Sequence, residues 1–417
     1  MDLSKLVDPK MYKQFAGTSW PSYEEFIAGE KGSADKIIAE IQNFINIATS
    51  RYSNLRVSDG TALAEENQQR QQQIFYSKNV TATQTCRVPW NTLGINNNGE
   101  IFICQSPSWI PKFVGNITKL DDIYTALNSE IAQSIRQEIL SGTYHYCNEK
   151  ICGFFAQLPK TEYNINIADT TIPTVITSDV LLVTQIPRDI IFDFDYTCNF
   201  KCPSCRIEMI NWNNDHLRRP INDQIVERIK HLIIDKIEAQ PISIRWAGGE
   251  PFLSEPYLEI FDYIIKSGKT NIQNIIQTNG SYLNSKVVQN LLPYIAELRI
   301  SFDAASAETY AKTRVNGNWA KLLDNVRYIT KLTKELNVST KISADFVVQL
   351  DNYKEIPAFV ELCTELGIDN INLQKMWNWG TWDNITFEQN NIYNPNHPLY
   401  EDLKYYYQLA GKQILNG

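Results

Sequence analysis

The chain has 417 residues, more than one domain usually holds, which predicts one large domain with additional segments or two domains. Its 43% hydrophobic and 21% charged residues exclude a disordered or fibrous protein, and a net charge of −8 argues against binding of nucleic-acid phosphates. No stretch approaches about 18 consecutive apolar residues and residues 1–5 lack a secretion-signal pattern, so we expect a cytoplasmic protein without a membrane partner.

Residues 1–85 are predicted to form a helical accessory segment. Apolar residues recur at nearly helical spacing over residues 34–50, which predicts an amphipathic helix. The polar run at residues 65–73 is more typical of a solvated helix or linker than of a partner-binding element. The next predicted domain covers residues 86–160. Its elements are a strand at 93–95, a turn at 96–99, a strand at 101–103 and a helix at 123–140 that Gly142 ends.

From residue 187 to 376, strand-like runs alternate with helical ones, which is typical of parallel βα units. Strands are predicted at 190–195, 242–247, 272–277, 298–303, 342–349 and 371–375, and helices at 221–239, 254–267, 284–292, 306–313, 319–336 and 354–366. Six such repeats fit either a partial barrel or a doubly wound sheet. In both folds, chemistry lies at the carboxyl ends of the strands.

Residues 377–417 are predicted to be a C-terminal segment with a final helix. Three tryptophans lie near its start, at Trp377, Trp379 and Trp382. They either line a substrate pocket at a barrel mouth or pack against the rest of the segment.

Three cysteines follow the first predicted strand of the repeat region. Cys198, Cys202 and Cys205 form a CxxxCxxC motif, and soft sulfur ligands at this spacing select zinc or an iron–sulfur cluster. A structural zinc needs four ligands, and the nearest fourth candidate is His216. On a 4Fe–4S cluster, three thiolates leave one iron open to bind a small molecule. A structural zinc site and plain core cysteines remain the alternatives.

The second predicted strand ends in Gly248, Gly249, Glu250 and Pro251. Two glycines allow close backbone approach to a ligand, and the glutamate can accept hydrogen bonds from an ammonium group. Alone, this GGEP sequence is equally typical of a structural turn. One βα unit after CxxxCxxC, however, it resembles the radical S-adenosylmethionine (SAM) superfamily.

The resemblance covers roughly residues 187–375 and implies an α/β fold, a partial (βα)6 TIM-like barrel. It implies that the three cysteines hold a 4Fe–4S cluster, whose open iron chelates the amino and carboxylate groups of SAM. Glu250 would contact the methionine amine, and Arg314 would pair with the SAM carboxylate. Ser204 stands where the family often has an aromatic residue, which removes a side chain that would stack on adenine.

By position, the resemblance implies a cofactor-binding set made of Gly248, Gly249, Glu250, Pro251, Asn279, Ser301, Asp303 and Arg314. Asn279 lies in a Thr-Asn-Gly sequence that closes the third strand, and Ser301 and Asp303 lie at the family's ribose-contacting position after the fourth. Turn residues and surface charge remain the alternative for Asn279, for Ser301 and Asp303, and for Arg314.

A second group of cysteines lies in the predicted 86–160 domain. Cys86 and Cys104 flank the hairpin, and Cys147 and Cys152 follow the helix. By count, four soft ligands fit a tetrahedral zinc or an iron–sulfur cluster equally well, and spacing alone favours zinc.

The sequences at 86–90 and 99–104 resemble the twitch and SPASM auxiliary-cluster domains of radical SAM enzymes. This resemblance implies one auxiliary 4Fe–4S cluster, with zinc as the alternative. With four cysteine ligands that cluster has no open iron, which favours electron transfer over substrate ligation.

Together, the resemblances imply an oxidoreductase-like or peptide-modifying radical SAM enzyme. It would cleave SAM reductively to methionine and a 5′-deoxyadenosyl radical that abstracts a substrate hydrogen. We expect a peptide or protein substrate, as in peptide natural product maturation, with a sugar-like small molecule as the alternative. The expected partner is an electron donor such as flavodoxin or ferredoxin, and nucleic acid is not expected as a partner. The non-enzyme alternative is an iron–sulfur or zinc scaffold or sensor.

Overall fold

The computed structural model describes residues 86–148, 152 and 181–416. The predicted accessory segment at 1–85, with its helix at 34–50 and polar run at 65–73, lies outside the described residues. So do residues 153–160 at the end of the predicted second domain.

The described residues form a nine-stranded sheet in the order β3-β2-β1-β4-β5-β6-β7-β8-β9. The strands are β1 (Thr92–Asn96), β2 (Glu100–Phe102), β3 (Gly115–Asn116), β4 (Asp189–Asp193), β5 (Ile242–Trp246), β6 (Ile272–Thr278), β7 (Ile295–Ser301), β8 (Lys341–Val348) and β9 (Asn370–Lys375). From β4 to β9 all neighbours are parallel and follow chain order. A doubly wound sheet reverses its order at a switch point, so this order is that of a partial barrel. The predicted fold class is confirmed.

The helices are α1 (Val88–Asn91), α2 (Ile123–Leu127), α3 (Glu130–Ser141), α4 (Arg218–Ile229), α5 (Glu255–Lys266), α6 (Lys286–Leu291), α7 (Ala307–Thr313), α8 (Trp319–Glu335), α9 (Ile356–Leu366), α10 (Asn384–Asn390) and α11 (Tyr400–Asn416). A π-helical turn at Lys230–Ile234 extends α4. All six helices predicted between the barrel strands overlap observed ones, and α11 is the predicted final helix. Among the described residues, no helix is long and apolar enough to cross a membrane.

The single helix predicted at 123–140 is wrong, because the structure has two helices there, α2 and α3. Ser129 leaves the helical conformation, with ψ at 159°, and its hydroxyl accepts a hydrogen bond from the backbone N–H of Ala132 at 3.3 Å. It therefore acts as the N-cap of α3. Gly142 ends this helix at a φ of 78°, as predicted.

The barrel sheet has an apolar face and a polar face. Phe192 and Trp246 are buried, their rings lie 5.3 Å apart, and Trp246 packs against Phe261 of α5 at 5.2 Å. Residues that alternate with these along the barrel strands point to the opposite face and include Arg245 of β5 and Glu297 of β7, which lie in one register row. The interior of a complete TIM barrel is dominated by branched apolar side chains, so this polar inner face is unusual.

The N-terminal hairpin extends the barrel sheet. Strand β1 pairs in parallel with β4, from Thr92 opposite Asp189 to Asn96 opposite Asp193. Gly94 is required in β1, because a Cβ there would lie 2.0 Å from the Phe102 ring. The sheet is thus continuous across the two predicted domains.

Candidate functional site

The three cysteines after β4 lie in a loop that is held by backbone hydrogen bonds. The backbone of Cys198 exchanges two hydrogen bonds with Ile210, at 2.7 and 3.2 Å, and the N–H of Cys205 donates to the carbonyl of Cys202 at 2.9 Å. Cys198 and Cys202 are buried and Cys205 is exposed. We call these three residues the barrel cysteines.

Each barrel cysteine faces a nitrogen donor. Asn279 Nδ2 lies 3.9 Å from Cys198 Sγ, Arg314 Nη1 lies 3.7 Å from Cys202 Sγ, and Arg206 Nη2 lies 3.4 Å from Cys205 Sγ. Such donors stabilise thiolate ligands from the outside of a metal centre. Three soft sulfurs with these partners therefore fit the iron–sulfur chemistry that the sequence predicts.

No three His, Cys, Asp or Glu side chains in residues 86–148, 152 and 181–416 converge to hold a single metal ion. The thiolates of a 4Fe–4S cluster bind different irons, so such a cluster does not require this convergence. Burial raises the pKa of Cys198 to about 11 and raises that of Cys202 as well. The cations beside them, Arg206 and Arg314, oppose this effect.

The GGEP turn pairs with the loop that carries the barrel cysteines. The N–H of Gly249 donates to Asp195 O at 2.9 Å, and that of Glu250 donates to Thr197 O at 2.7 Å. A Cβ on Gly249 would lie 2.0 Å from Thr197 O, and one on Gly248 would lie 2.6 Å from Asp195 O. In this structure the glycines allow two backbone segments to meet, whereas the sequence suggested either close approach to a ligand or a structural turn.

Glu250 is fully buried and joins the ends of β5 and β6. Its carboxylate accepts hydrogen bonds from Thr278 Oγ1 and the backbone N–H of Asn279, both at 2.7 Å. Burial raises the pKa of Glu250 to about 7, against the opposing effect of these bonds and of Arg206. Pro251 is buried beside it.

Asp303 and Arg314 form a buried ion pair, with Oδ2 and Nη2 2.8 Å apart. Asp303 has a φ of 54° and its Oδ1 accepts from Val347 N at 2.7 Å. Burial raises the pKa of Asp303, although Arg314 lowers it. Arg314 also has a buried Nε without a partner among the described residues. Ser301, two residues before Asp303, is buried, and its hydroxyl accepts a hydrogen bond from Gln277 Nε2 at 2.7 Å.

The structure therefore brings six of the predicted residues into two sets, each linked by direct contacts. Cys198, Asn279 and Glu250 are linked by direct contacts, and so are Cys202, Arg314 and Asp303. Both sets surround the carboxyl ends of β4 to β7.

Comparison with known proteins decides the family of this region, because residues 194–369 match the radical SAM superfamily. The chain contains a radical SAM domain.

Two curated relatives match part of the chain. It is 27% identical over 192 residues to an AdoMet-dependent heme synthase of Methanosarcina barkeri, covering 45% of this chain and 50% of the relative. It is 24% identical over 187 residues to a probable GTP 3′,8-cyclase of Saccharolobus islandicus, covering 45% and 56%. The chain thus spans about half the length of the curated relatives it matches.

Two solved structures are also similar in part. Native anSMEcpe with bound AdoMet matches at a TM-score of 0.33 and 18% identity, covering 46% of this chain and 51% of that one. Archaeal TYW1 matches at a TM-score of 0.27 and 17% identity, covering 41% and 61%.

Sequence reasoning missed two charged residues of the radical SAM domain. Arg206 donates to Tyr196 O at 2.7 Å and to Gly248 O at 2.9 Å, besides facing Cys205. Asp193 ends β4, and burial raises its pKa to about 7. The position of Arg206 directly after the third cysteine was the available signal, but its inward direction depends on the fold.

The second cysteine group lies outside the matched segment. Cys86, Cys104, Cys147 and Cys152, which we call the hairpin cysteines, are all buried. Burial raises the pKa of Cys104, to which Cys86 and Cys152 contribute, and it raises the pKa of Tyr144, to which Cys86, Cys147 and Cys152 contribute, so the four thiols share one neighbourhood. The hydroxyl of Tyr144 accepts a hydrogen bond from the N–H of Cys86 at 3.4 Å.

Proposed function

We propose that this protein uses its radical SAM domain to abstract a hydrogen atom from a carbon of its substrate. The observation that carries the proposal is the hydrogen-bonded unit of the barrel cysteines, Glu250 and Arg314 at the carboxyl ends of the strands. The match of residues 194–369 to the superfamily implies a 4Fe–4S cluster and SAM. When bound, the cluster supplies the electron that cleaves SAM into methionine and a 5′-deoxyadenosyl radical.

The chain's own residues bind and orient SAM in this proposal. The barrel cysteines hold the cluster and leave one iron for the methionine group. Glu250, fixed by Thr278 and Asn279, accepts the methionine ammonium. Arg314 offers its unpartnered Nε to the carboxylate.

Six residues complete the proposed SAM site. Ser301 and Asp303 contact the ribose, and Gly248 and Gly249 contact SAM through their backbone while they pair with the cysteine loop. Pro251 and Asn279 close the same side of the site.

For the substrate we propose a peptide or protein, because residues 86–90 and 99–104 resemble the twitch and SPASM domains. A sugar-like small molecule is the second candidate, and the polar inner face of the barrel favours it. On that face Arg245 Nη2 donates to Gln105 Oε1 at 2.6 Å, and Arg299 pairs with Glu297 at 2.8 Å. Such groups suit a ligand with several hydroxyls.

For the hairpin cysteines we propose one auxiliary 4Fe–4S cluster that takes part in electron transfer, with zinc as the alternative. Their burial around Tyr144 supports a closed centre. The electron donor to the barrel cluster would be a flavodoxin or ferredoxin, and the exposure of Cys205 supports an approach from that side.

The test replaces all three barrel cysteines by alanine. We expect the loss of about four irons and of all 5′-deoxyadenosine formation, since the cluster loses every protein ligand. Cys363→Ala is the matched control, because Cys363 lies in α9 outside both groups. Iron and sulfide content and SAM cleavage are measured anaerobically. SAM cleavage by the triple variant would overturn the proposal.

A further inference from the structure

Arg206 stands out because its side chain connects three separate parts of the radical SAM domain. It directly follows Cys205, and its neighbours at 205, 207, 208 and 209 are exposed. Its guanidinium nevertheless turns inward. Nη1 donates to Tyr196 O, and Nη2 donates to both Gly248 O and Cys205 Sγ. One side chain therefore holds the end of the β4 loop, the GGEP turn and the third cysteine together.

The bond to Gly248 affects the position of Glu250. Gly248 begins the turn, and Glu250 lies two residues later with its N–H fixed on Thr197 O. Arg206 thus supports the GGEP turn from the cysteine side, while Thr278 and Asn279 support Glu250 from the β6 side. Loss of the guanidinium would remove one of the three hydrogen bonds that hold the turn on the cysteine side and leave those of Gly249 and Glu250.

The charge of Arg206 acts on the whole site. It interacts electrostatically with Cys205, Cys198 and Cys202. Burial raises the pKa of Asp193 and Glu250, and Arg206 lowers it. Its hydrogen-bond acceptors are two carbonyl oxygens and a sulfur, whereas Arg314 is paired with the carboxylate of Asp303. The positive charge of Arg206 is therefore less neutralised than that of Arg314.

We propose that Arg206 is a positioning residue of the SAM site that also raises the reduction potential of the cluster held by the barrel cysteines. A reduced cluster carries one more negative charge than an oxidised one, so a nearby cation and a hydrogen bond to a ligand sulfur favour reduction. The same side chain orients the GGEP turn for SAM. This inference rests on the proposed function.

Two substitutions separate the two roles. Arg206→Lys keeps the charge but replaces the planar fork, so it cannot bond Tyr196, Gly248 and Cys205 together. Arg206→Gln removes the charge. Arg327→Gln is the matched control, because Arg327 is an exposed arginine of α8 that pairs only weakly with Asp324 at 3.4 Å.

The experiment uses the anaerobically reconstituted full chain. The midpoint potential is measured by a redox titration followed by EPR, SAM affinity by calorimetry, and iron content chemically. We expect Arg206→Gln to lower the reduced-to-oxidised ratio at a fixed potential about tenfold, which is about 59 mV for one electron. Arg206→Lys keeps a potential close to that of the parent, and SAM affinity falls several-fold in both variants.

The outcomes are distinguishable. A parent protein without iron, or with a cluster whose EPR signal does not respond to SAM, would refute the proposed function itself. If the parent passes, an unchanged potential and SAM affinity in iron-replete Arg206→Gln overturn the role of Arg206. If Arg206→Gln loses its iron, the test rests on Arg206→Lys. A SAM affinity of Arg206→Lys equal to that of the parent then overturns the proposal.

Discussion

The barrel cysteines come from one loop of eight residues, whereas the hairpin cysteines come from separate segments that only the fold brings together. Around the barrel group, Asn279, Arg206 and Arg314 direct nitrogen donors at the sulfurs. In the hairpin group, burial raises the pKa of Cys86 to about 12 and raises that of Cys104, while backbone N–H groups oppose it, that of Val88 at Cys86 and those of Ser106 and Gln105 at Cys104. Side-chain donors, two of them from distant segments, therefore face the first group, whereas backbone donors close in sequence face the second.

This difference has a consequence for folding. Burial opposes ionisation of the hairpin thiols and a bound metal favours their thiolate form, so metal binding and local folding should be coupled at the hairpin cysteines. The barrel loop is tied by backbone bonds to Ile210 and to the GGEP turn, so it should keep its shape more independently of the metal.

The largest effect that separates the two groups is expected from Cys104→Ala combined with Cys152→Ala. Iron content should fall by about one cluster, because two thiolates rarely retain one. The variant should still form 5′-deoxyadenosine but should not convert substrate to product. Circular dichroism must first match that of the parent. Full product formation by a folded variant lacking that cluster would remove the electron-transfer role, and zinc in the anaerobically prepared parent would make the site structural.

Glu250→Gln should weaken SAM binding and leave both metal sites intact. A hydrogen bond to a charged group contributes about 1.5–3 kcal/mol, so SAM affinity should fall by roughly one to two orders of magnitude. Calorimetry with SAM and iron analysis measure the two properties. Glu255→Gln is the control, because Glu255 is an exposed residue of α5 that pairs with Arg219. Equal SAM affinity in parent and Glu250→Gln would contradict the assignment.

The pH dependence of SAM binding also tests the role of Glu250. The pKa of Glu250 is raised to about 7, so its carboxylate is protonated in the SAM-free protein below that value. Because the ammonium of SAM binds the ionised form, affinity should decline as pH falls from about 8 to about 6. Glu250→Gln should lack this decline apart from the titration of SAM itself. Parallel profiles in parent and variant would show that Glu250 does not titrate in this range.

A smaller effect is expected where the hairpin meets the barrel. Arg218 stacks over Trp212 at 4.2 Å and hydrogen-bonds Asn97 O in the hairpin turn. Arg218→Met should lower the free energy of unfolding by about 1–3 kcal/mol, since it removes a cation–π contact and a charged hydrogen bond. Arg219→Met is the matched neighbour, and its exposed ion pairs should contribute less. Denaturant unfolding measures the free energy of unfolding of both variants. Equal destabilisation would contradict the conclusion that Arg218 connects the hairpin to the barrel.

The barrel strands were predictable because strand-like runs alternate with helical ones along the chain; alternating burial is clear in β5 and β6 but not in β4, β8 or β9. Strand order was not, since the pairing of β4 with β5 or with β1 joins residues far apart in sequence. The break at Ser129 had a local signal, a serine that caps the following turn, but apolar spacing on both sides concealed it. CxxxCxxC and GGEP were visible by spacing. The inward direction of Arg206 was not, because it depends on carbonyls supplied by two other loops.

The parallel pairing of β1 with β4 also bears on solubility. A partial barrel ends in strands whose backbone N–H and C=O groups would be left without partners, and such edges recruit other chains into aggregates. Here β1 covers the edge of β4 along five residues, and the sheet then tapers through β2 to the two-residue β3. A shortened chain beginning at residue 187 would expose that edge and is expected to precipitate, so the hairpin protects the barrel whatever metal it binds.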